Sequence, residues 1–190
     1  VQDLLVNGNS LKALGVGIGA RVVHEPLRFA ENHIAQVSVG IAVTQQSGLH
    51  VIEDNRIEAD CANGVGGLVT SADAQYWLRN VITAAESGLL VETVTLVLVE
   101  ENTVTASLFG VSLVGTNPVD ADTLLERRSL SDAFRERIPR YRVRRNTVTV
   151  QDGIALRVRC GDTCPFASGG EAYVYDNTLA VADAKGAFAA

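Results

Sequence analysis

The chain has 190 residues, of which 47% are hydrophobic and 20% are charged. This balance is typical of a folded domain and excludes an intrinsically disordered chain. The formal net charge of −6 argues against nucleic-acid binding by the whole surface, because phosphate backbones attract basic proteins.

A chain of this length can bury one core, and we identify no linker and no internal repeat in it. We therefore expect one globular domain over residues 1–190, with a flexible C-terminal tail from about residue 176. No apolar run approaches the length that crosses a bilayer, so we expect no membrane partner. The first residues, Val1–Leu5, lack the basic start and long apolar core of a signal peptide, which favours a virion or cytoplasmic location.

The first third of the chain is expected to begin with two short helices, Gln2–Val6 and Leu11–Leu14. Apolar and polar residues then alternate in part between Ile34 and Thr44, which is the period of a half-buried strand. A second strand is predicted from His50 to Ala59, where the charged positions share one face.

A long helix is predicted over about residues 71–87. Trp77, Val81 and Ala85 recur at helical spacing, and Gly88 follows where a C-cap would stand. The Trp77 indole is expected to lie in the core.

The second half is predicted to contain two antiparallel hairpins with a helical segment between them. The first hairpin joins Val91–Val99 to Val104–Val114 through Glu101-Asn102. A shorter, broken helix is predicted next, over about residues 120–138.

The second hairpin joins Tyr141–Val150 to Ile154–Arg159 across Asp152-Gly153, a dipeptide that favours a two-residue turn. Together these elements predict an α+β, β-rich fold. We expect a mainly antiparallel sheet, in a sandwich or barrel-like arrangement, with the long helix packed on it.

No motif fixes a chemistry, and we expect no cofactor. Two glycine runs, at 15–19 and 64–67, miss the spacing of a dinucleotide-binding loop and are predicted to be turns or bulges. His24, His33 and His50 lie in the first third of the chain without the spacing of a metal box, so we expect no metal site. If the protein is an enzyme, this histidine group is one candidate for a non-local active site.

Cys61 is the other candidate for an enzyme, as a nucleophile with His50 and Glu53 as partners. The local sequence supplies an aspartate rather than a basic neighbour, which favours a buried free thiol instead. Cys160 and Cys164 could form a disulfide in an oxidising environment, or stay reduced.

An arginine cluster is the most distinctive feature of the last third of the chain. Its members are Arg127, Arg128, Arg135, Arg137, Arg140, Arg142, Arg144, Arg145, Arg157 and Arg159. We expect interface or anion-binding residues among them, at Arg140, Arg142, Arg144, Arg157 and Arg159. They could meet an acidic surface of a neighbouring subunit or nucleic-acid phosphates. A protein interface ranks ahead of nucleic acid, and a solvated face ranks level with the interface.

The segment Asp3-Leu4-Leu5-Val6-Asn7-Gly8-Asn9-Ser10-Leu11 resembles the opening of some minor or distal tail proteins of tailed bacteriophages. In that family a short strand and an Asn-Gly turn begin a β-sandwich. The resemblance implies a ring-forming virion component without catalytic residues. The rest of the chain departs from that family.

These observations favour a structural, self-assembling protein without catalytic chemistry, such as a subunit of a virion, a shell or a tube. We expect a homo-oligomer or contacts with other assembly subunits. Two alternatives stay open. One is an enzyme with a non-local active site, and the other is a binding module that uses the Arg142/Arg144 face.

Overall fold

The computed structural model describes residues 4–12, 15–21, 26–115, 140–160 and 171–182. All regular secondary structure in these residues is β-strand, and the strands wind into a parallel β-solenoid. Each strand pairs in parallel with the equivalent strand of the next coil. The coils build three sheets, which we call sheets 1, 2 and 3 in the order in which a coil passes through them.

Three long strands bend at the corner between sheets 3 and 1 and contribute to both: β6 (Val39–Glu53), β8 (Val65–Leu78) and β10 (Ser87–Glu100). Sheet 1 contains their last residues and β1 (Leu4–Asn7), β4 (Leu27–Ala30), β13 (Arg140–Arg144) and β16 (Glu171–Tyr175). Sheet 2 contains β2 (Ser10–Lys12), β5 (His33–Ala35), β7 (Arg56–Ala59), β9 (Val81–Ala84), β11 (Thr103–Ala106), β14 (Thr147–Val150) and β17 (Thr178–Val181). Sheet 3 contains the first residues of β6, β8 and β10, together with β3 (Val16–Arg21), β12 (Phe109–Gly115) and β15 (Ile154–Cys160).

The core lies inside the solenoid, because successive residues of a strand point to opposite faces of its sheet. A stack of branched aliphatic residues fills the inward positions of sheet 2: Ile34, Ile57, Ile82, Val104 and Val148. Trp77 points inward from sheet 1 and is fully buried, which confirms its expected place in the core. Burial of such apolar surface favours folding by roughly 25 cal/mol per Å².

An asparagine stands at the corner between sheets 1 and 2 in every coil, and we call this row the asparagine ladder: Asn9, Asn32, Asn55, Asn80, Asn102, Asn146 and Asn177. The backbone N–H and the side-chain Nδ2 of Asn80 both donate to Oδ1 of Asn102, at 2.9 Å each. Nδ2 of Asn80 also donates to the Ile52 carbonyl at 2.9 Å, and Oδ1 accepts two bonds from Asn55. Every polar atom of this buried side chain is therefore paired.

The residue before each ladder asparagine has a left-handed backbone, with φ between 52° and 66°: Gly8, Glu31, Asp54, Arg79, Glu101, Arg145 and Asp176. For a residue other than glycine this conformation costs about 1–2 kcal/mol. The left-handed residue makes the sharp corner that places each asparagine beside the asparagine of the next coil. The hydrogen bonds of the ladder form there and offset the conformational cost. The same corner turns the preceding side chain outward.

Close packing between sheets 2 and 3 leaves no room for a side chain at the second residue of the strands that begin sheet 3. At Gly88, a Cβ atom would lie 2.2 Å from Cγ1 of Val104 and 2.5 Å from the Gly110 carbonyl oxygen. Gly66 and Gly110 occupy the equivalent positions in the neighbouring coils, with equally short distances. Glycine is therefore required here by contact rather than by φ.

The expected α+β fold with a mainly antiparallel sheet is wrong, since the sheets are parallel, form neither a sandwich nor a barrel, and carry no helix in the described residues. The long helix predicted over about residues 71–87 is instead the end of β8, all of β9 and the start of β10. Trp77 and Ile82 both point inward, because the corner at Asn80 shifts the strand alternation between them. Val81, which follows Trp77 at helical spacing, is instead 43% exposed on the outer side of sheet 2, so the residues of that spacing do not share one buried face. The broken helix predicted over about residues 120–138 lies outside the described residues.

Both predicted hairpins are also wrong. Glu101-Asn102 forms the corner between β10 and β11, and Asp152-Gly153 lies at the corner between β14 and β15. The strands that flank each corner belong to different sheets and pair with other coils. The described parts of the two predicted N-terminal helices are the strands β1 and β2.

The coils form an internal repeat that the sequence analysis did not identify. Ladder asparagines are 22 to 25 residues apart as far as Asn102. The next two intervals, to Asn146 and Asn177, are 44 and 31 residues and interrupt the period. The last described strand, β17, lies in the segment expected to be a flexible tail.

We expect Asn80→Ala to lower the free energy of unfolding by about 2–3 kcal/mol, because it leaves the buried backbone N–H of Asn55 without its acceptor and removes the hydrogen bonds to the Ile52 carbonyl and from Asn55 Nδ2. Chemical denaturation followed by circular dichroism measures the loss. Thr83→Ala, on the exposed face of the next strand, is the control and should change stability by no more than about 0.5 kcal/mol. Equal losses in the two variants would contradict the stabilising role of the ladder.

Candidate functional site

The outward side of the asparagine ladder carries two clusters of ion pairs. In the first cluster, Glu53 binds Arg28 and Arg79, and Arg79 also binds Asp54, with both Arg79 contacts at 2.8 Å. The hydrogen bond from Arg79 holds the pKa of Asp54 below its usual value. Glu53 is only 8% exposed, so its two arginines neutralise a carboxylate that is largely removed from water.

The second cluster repeats this arrangement two coils further along the solenoid. Arg144 Nη2 lies 2.8 Å from Glu100 Oε2, and Nη1 donates to the Tyr175 hydroxyl at 3.2 Å. Arg145 contacts Glu101 at 2.9 Å and Glu100 at 3.4 Å. The hydrogen bonds to Glu100 and Tyr175 raise the pKa of Arg144. Arg144, one of the predicted anion-binding residues, is therefore paired within its own chain.

The other predicted interface arginines are divided between two sheets. Arg140 is the first residue of β13, and Arg142 is exposed on the outward face of the same strand in sheet 1. Arg157 and Arg159 lie on the outward face of β15 in sheet 3. The structure thus does not gather these residues on one face, and the more N-terminal arginines of the cluster lie outside the described residues.

Arg157 is held by two outward residues of the neighbouring coil. Its guanidinium carbon lies 4.3 Å from the centroid of the Phe109 ring. Its Nε and Nη2 both donate to the Ser112 hydroxyl, at 2.9 and 2.7 Å. Neither Phe109 nor Ser112 stands out in the sequence, because only the parallel pairing of β12 with β15 brings them to Arg157.

The candidate enzyme residues lie in separate places. Cys61 is a free, partly exposed cysteine in the turn between β7 and β8, at the corner between sheets 2 and 3. His50 points inward from sheet 1 and is fully buried, whereas Glu53 binds its arginines on the outer side of that sheet. His33 is exposed on sheet 2 and lies 3.7 Å from Glu58. The fold therefore does not bring Cys61 to His50.

Two further candidates, His24 and Cys164, lie outside the described residues, so the Cys160–Cys164 disulfide stays a prediction. Among the residues that the structure describes, no group of three or more histidine, cysteine, aspartate or glutamate side chains could hold a metal ion. In the same ranges, no helix is both long enough and apolar enough to span a membrane.

A polar pair lies inside the solenoid, where the other inward residues of sheet 1 are mostly apolar. His50 and Gln75 occupy neighbouring inward positions and are both fully buried. His50 Nδ1 accepts a bond from the Leu27 N–H at 3.2 Å, which places the proton of the neutral ring on Nε2. Within the described part of the chain, His50 Nε2 and both amide atoms of Gln75 have no hydrogen-bond partner. Burial lowers the pKa of His50 to about 4.

Comparison of the chain with protein-family models, with curated proteins and with solved structures finds no match. The geometry of the described residues therefore carries the functional argument.

We expect stability to decrease as the pH falls from 6.5 towards 4, because the unfolded chain protonates its histidines in this range while folded His50 stays neutral. The difference between the two pKa values corresponds to roughly 3 kcal/mol, fully present above pH 6.5. Denaturation measured at several pH values tests this.

The matched variant for this test is His50→Gln, which removes the titrating group and should flatten the profile between pH 6.5 and 4. The exposed His33 is retained in both proteins. Asp54 and Glu58 have lowered pKa values, so their stabilising contributions are lost only from the acid end of this window downward, as the pH falls past their ordinary values of 3.8 and 4.5, and both residues are retained in the variant. Identical profiles for parent and variant would contradict the assignment to His50.

Proposed function

We propose that the chain is a structural protein that self-assembles through the two ends of its solenoid and has no catalytic role. The observation that carries this proposal is that both end coils leave inward-facing apolar residues uncovered. Leu4 extends the buried row of Leu27 and is 51% exposed. Val174 extends the buried row of Val143 and is 46% exposed, and Leu179 is 47% exposed in the same coil.

The strand edges of the end coils are also open within the described residues. In sheet 1, β1 pairs with β4 alone, and β16 pairs with β13 alone. An edge strand presents N–H and C=O groups that can pair with a strand from another chain. Because all strands run in parallel, the edge at one end of the solenoid is complementary to the edge at the other.

The asparagine ladder gives this complementarity a direction. In the interior coils, the backbone N–H of each ladder asparagine donates to Oδ1 of the next. Among the described residues, nothing donates to Asn9 Oδ1 and nothing accepts from the Asn177 backbone N–H. The C-terminal end of one copy therefore fits the N-terminal end of a second copy. Such a head-to-tail contact uses two different surfaces and generates an open filament or a ring.

An assembly of this kind suits a subunit of a virion, a shell or a tube. The phage tail proteins that residues 3–11 resemble begin with a β-sandwich, whereas this chain forms a solenoid. The resemblance therefore adds no support, and only the capacity to assemble supports a place in a virion. The separation of Cys61 from His50 gives the enzyme alternative no support.

We expect the parent protein to form species larger than a monomer at micromolar concentration, and Val174→Asp with Leu179→Asp to shift them to monomers. The added carboxylates would have to be buried at the contact between two copies, which is costly. Size-exclusion chromatography with light scattering measures both.

Val81→Asp is the matched control, because Val81 is a 43% exposed apolar residue on the outer side of sheet 2, away from the ends. This variant should assemble as the parent does. A parent protein that is monomeric at every concentration would contradict the proposal. Loss of assembly in Val81→Asp alone would place the contact on the side of the solenoid and would equally contradict it.

A further inference from the structure

The arginines on the outer surface of the solenoid differ in whether a carboxylate neutralises them. Ion pairs hold Arg28, Arg56, Arg79, Arg144 and Arg145. On the outward face of β15, in contrast, Arg157 and Arg159 form no ion pair with any described residue. Glu92 attracts Arg157 but does not bind it, and Arg159 repels it more strongly. Two positive charges therefore lie side by side, and no carboxylate of the described residues binds either of them.

The electrostatic cost of placing Arg157 beside Arg159 is increased because Arg157 is partly buried and held in place. Partial burial removes part of its hydration shell and, with the repulsion from Arg159, lowers its pKa. Stacking on Phe109 and two hydrogen bonds to Ser112 fix the plane of the guanidinium. Ser112 is 1% exposed and neutral, so it orients the guanidinium without cancelling its charge. An arginine fixed in this way is preorganised for a ligand, since it has little side-chain entropy left to lose.

We propose that Arg157 and Arg159 form a binding site for an oxyanion group, a carboxylate or a phosphate. The two side chains leave the same face of one strand, two residues apart, which spaces their Cα atoms by about 7 Å. Nη1 of Arg157, which makes no hydrogen bond to a described residue, and the exposed guanidinium of Arg159 are the donors. Planar guanidinium groups donate two parallel hydrogen bonds to carboxylate or phosphate oxygens, and such charge-assisted bonds are about twice as strong as neutral ones.

The side chains of Arg157 and Arg159 point outward from the side of the solenoid, whereas the proposed assembly uses the inward-facing apolar residues of the end coils. β15 is the last strand of sheet 3 in the described residues, and its outward face is continuous with that of β12 through Phe109 and Ser112. An aromatic ring beside the two cations also offers an apolar contact to the carbon skeleton of an organic anion.

The test measures the binding of citrate and of pyrophosphate by isothermal titration at constant ionic strength, with chloride as the background anion. The two probes separate a carboxylate ligand from a phosphate ligand. We expect saturable binding of at least one probe, and a loss of about tenfold or more in R157Q/R159Q, because two charge-assisted bonds are removed.

R56Q is the matched control, because Arg56 is an exposed cation that Glu58 already neutralises at 2.8 Å. It removes one positive charge elsewhere and should leave the affinity within about twofold. Ser112→Ala retains both cations but frees the guanidinium of Arg157, and it should weaken binding severalfold. That result distinguishes a positioned site from a diffuse positive potential.

Three results would overturn the proposal: no saturable binding of either probe, an equal loss in R56Q, or an unchanged affinity in R157Q/R159Q. Thermal unfolding of each variant confirms that it is folded, and the conservative R159Q alone serves if the double variant is not. Because both side chains point outward and neither belongs to the uncovered apolar residues of the end coils, the oligomeric state of R157Q/R159Q should equal that of the parent. A negative result in the anion-binding test therefore does not contradict the assembly proposal, and a monomeric parent protein does not contradict the anion site.

Discussion

Hydrogen bonding from each coil to the next is the constraint on which the rest of this structure depends. Along the asparagine ladder, both the backbone and the side chain of one residue bond to the side chain of the next, as Asn80 does to Asn102. The ladder fixes the corner between sheets 1 and 2, and that corner sets the register of the strands on either side. Left-handed residues such as Arg79 are tolerated there only because the hydrogen bonds that they permit are buried and mutually supporting.

Regular stacking also decides the chemistry of the outer surface. Residues at equivalent positions in successive coils lie about 4.8 Å apart, whatever their separation in the chain. Arg79 therefore meets Asp54, and Arg145 meets Glu101, as rungs of the same row. The same geometry places Arg157 next to Ser112, from where its guanidinium reaches the ring of Phe109. What distinguishes that site is an arginine held in place beside a second cation, with no ion pair to a described residue.

Part of this architecture can be predicted from single stretches of sequence. Alternation marks many of the strands, and the apolar character of Trp77 is enough to place it in the core. The candidate sites could not be predicted in this way. Ser112 and Phe109 matter only because β15 lies beside them, and Arg157 of β15 is 45 residues from Ser112 in the chain. The asparagine ladder did leave a signal, because an asparagine followed two residues later by Ile or Val recurs at Asn32, Asn55, Asn80 and Asn102. A search for repeats of 20 to 50 residues is the step that detects such a period.

The sequence by itself determined the local alternation of many strands, the turns at Glu101-Asn102 and Asp152-Gly153, and the overall acidity of the chain. It did not determine which strands pair, because Glu101-Asn102 and Asp152-Gly153 can serve a hairpin or a solenoid corner equally well. Only the tertiary structure decided between the two, through contacts between coils that no local pattern encodes. It also decided which arginines are neutralised and which apolar residues remain exposed at the ends, since both depend on the residue one coil away rather than on neighbours in the chain.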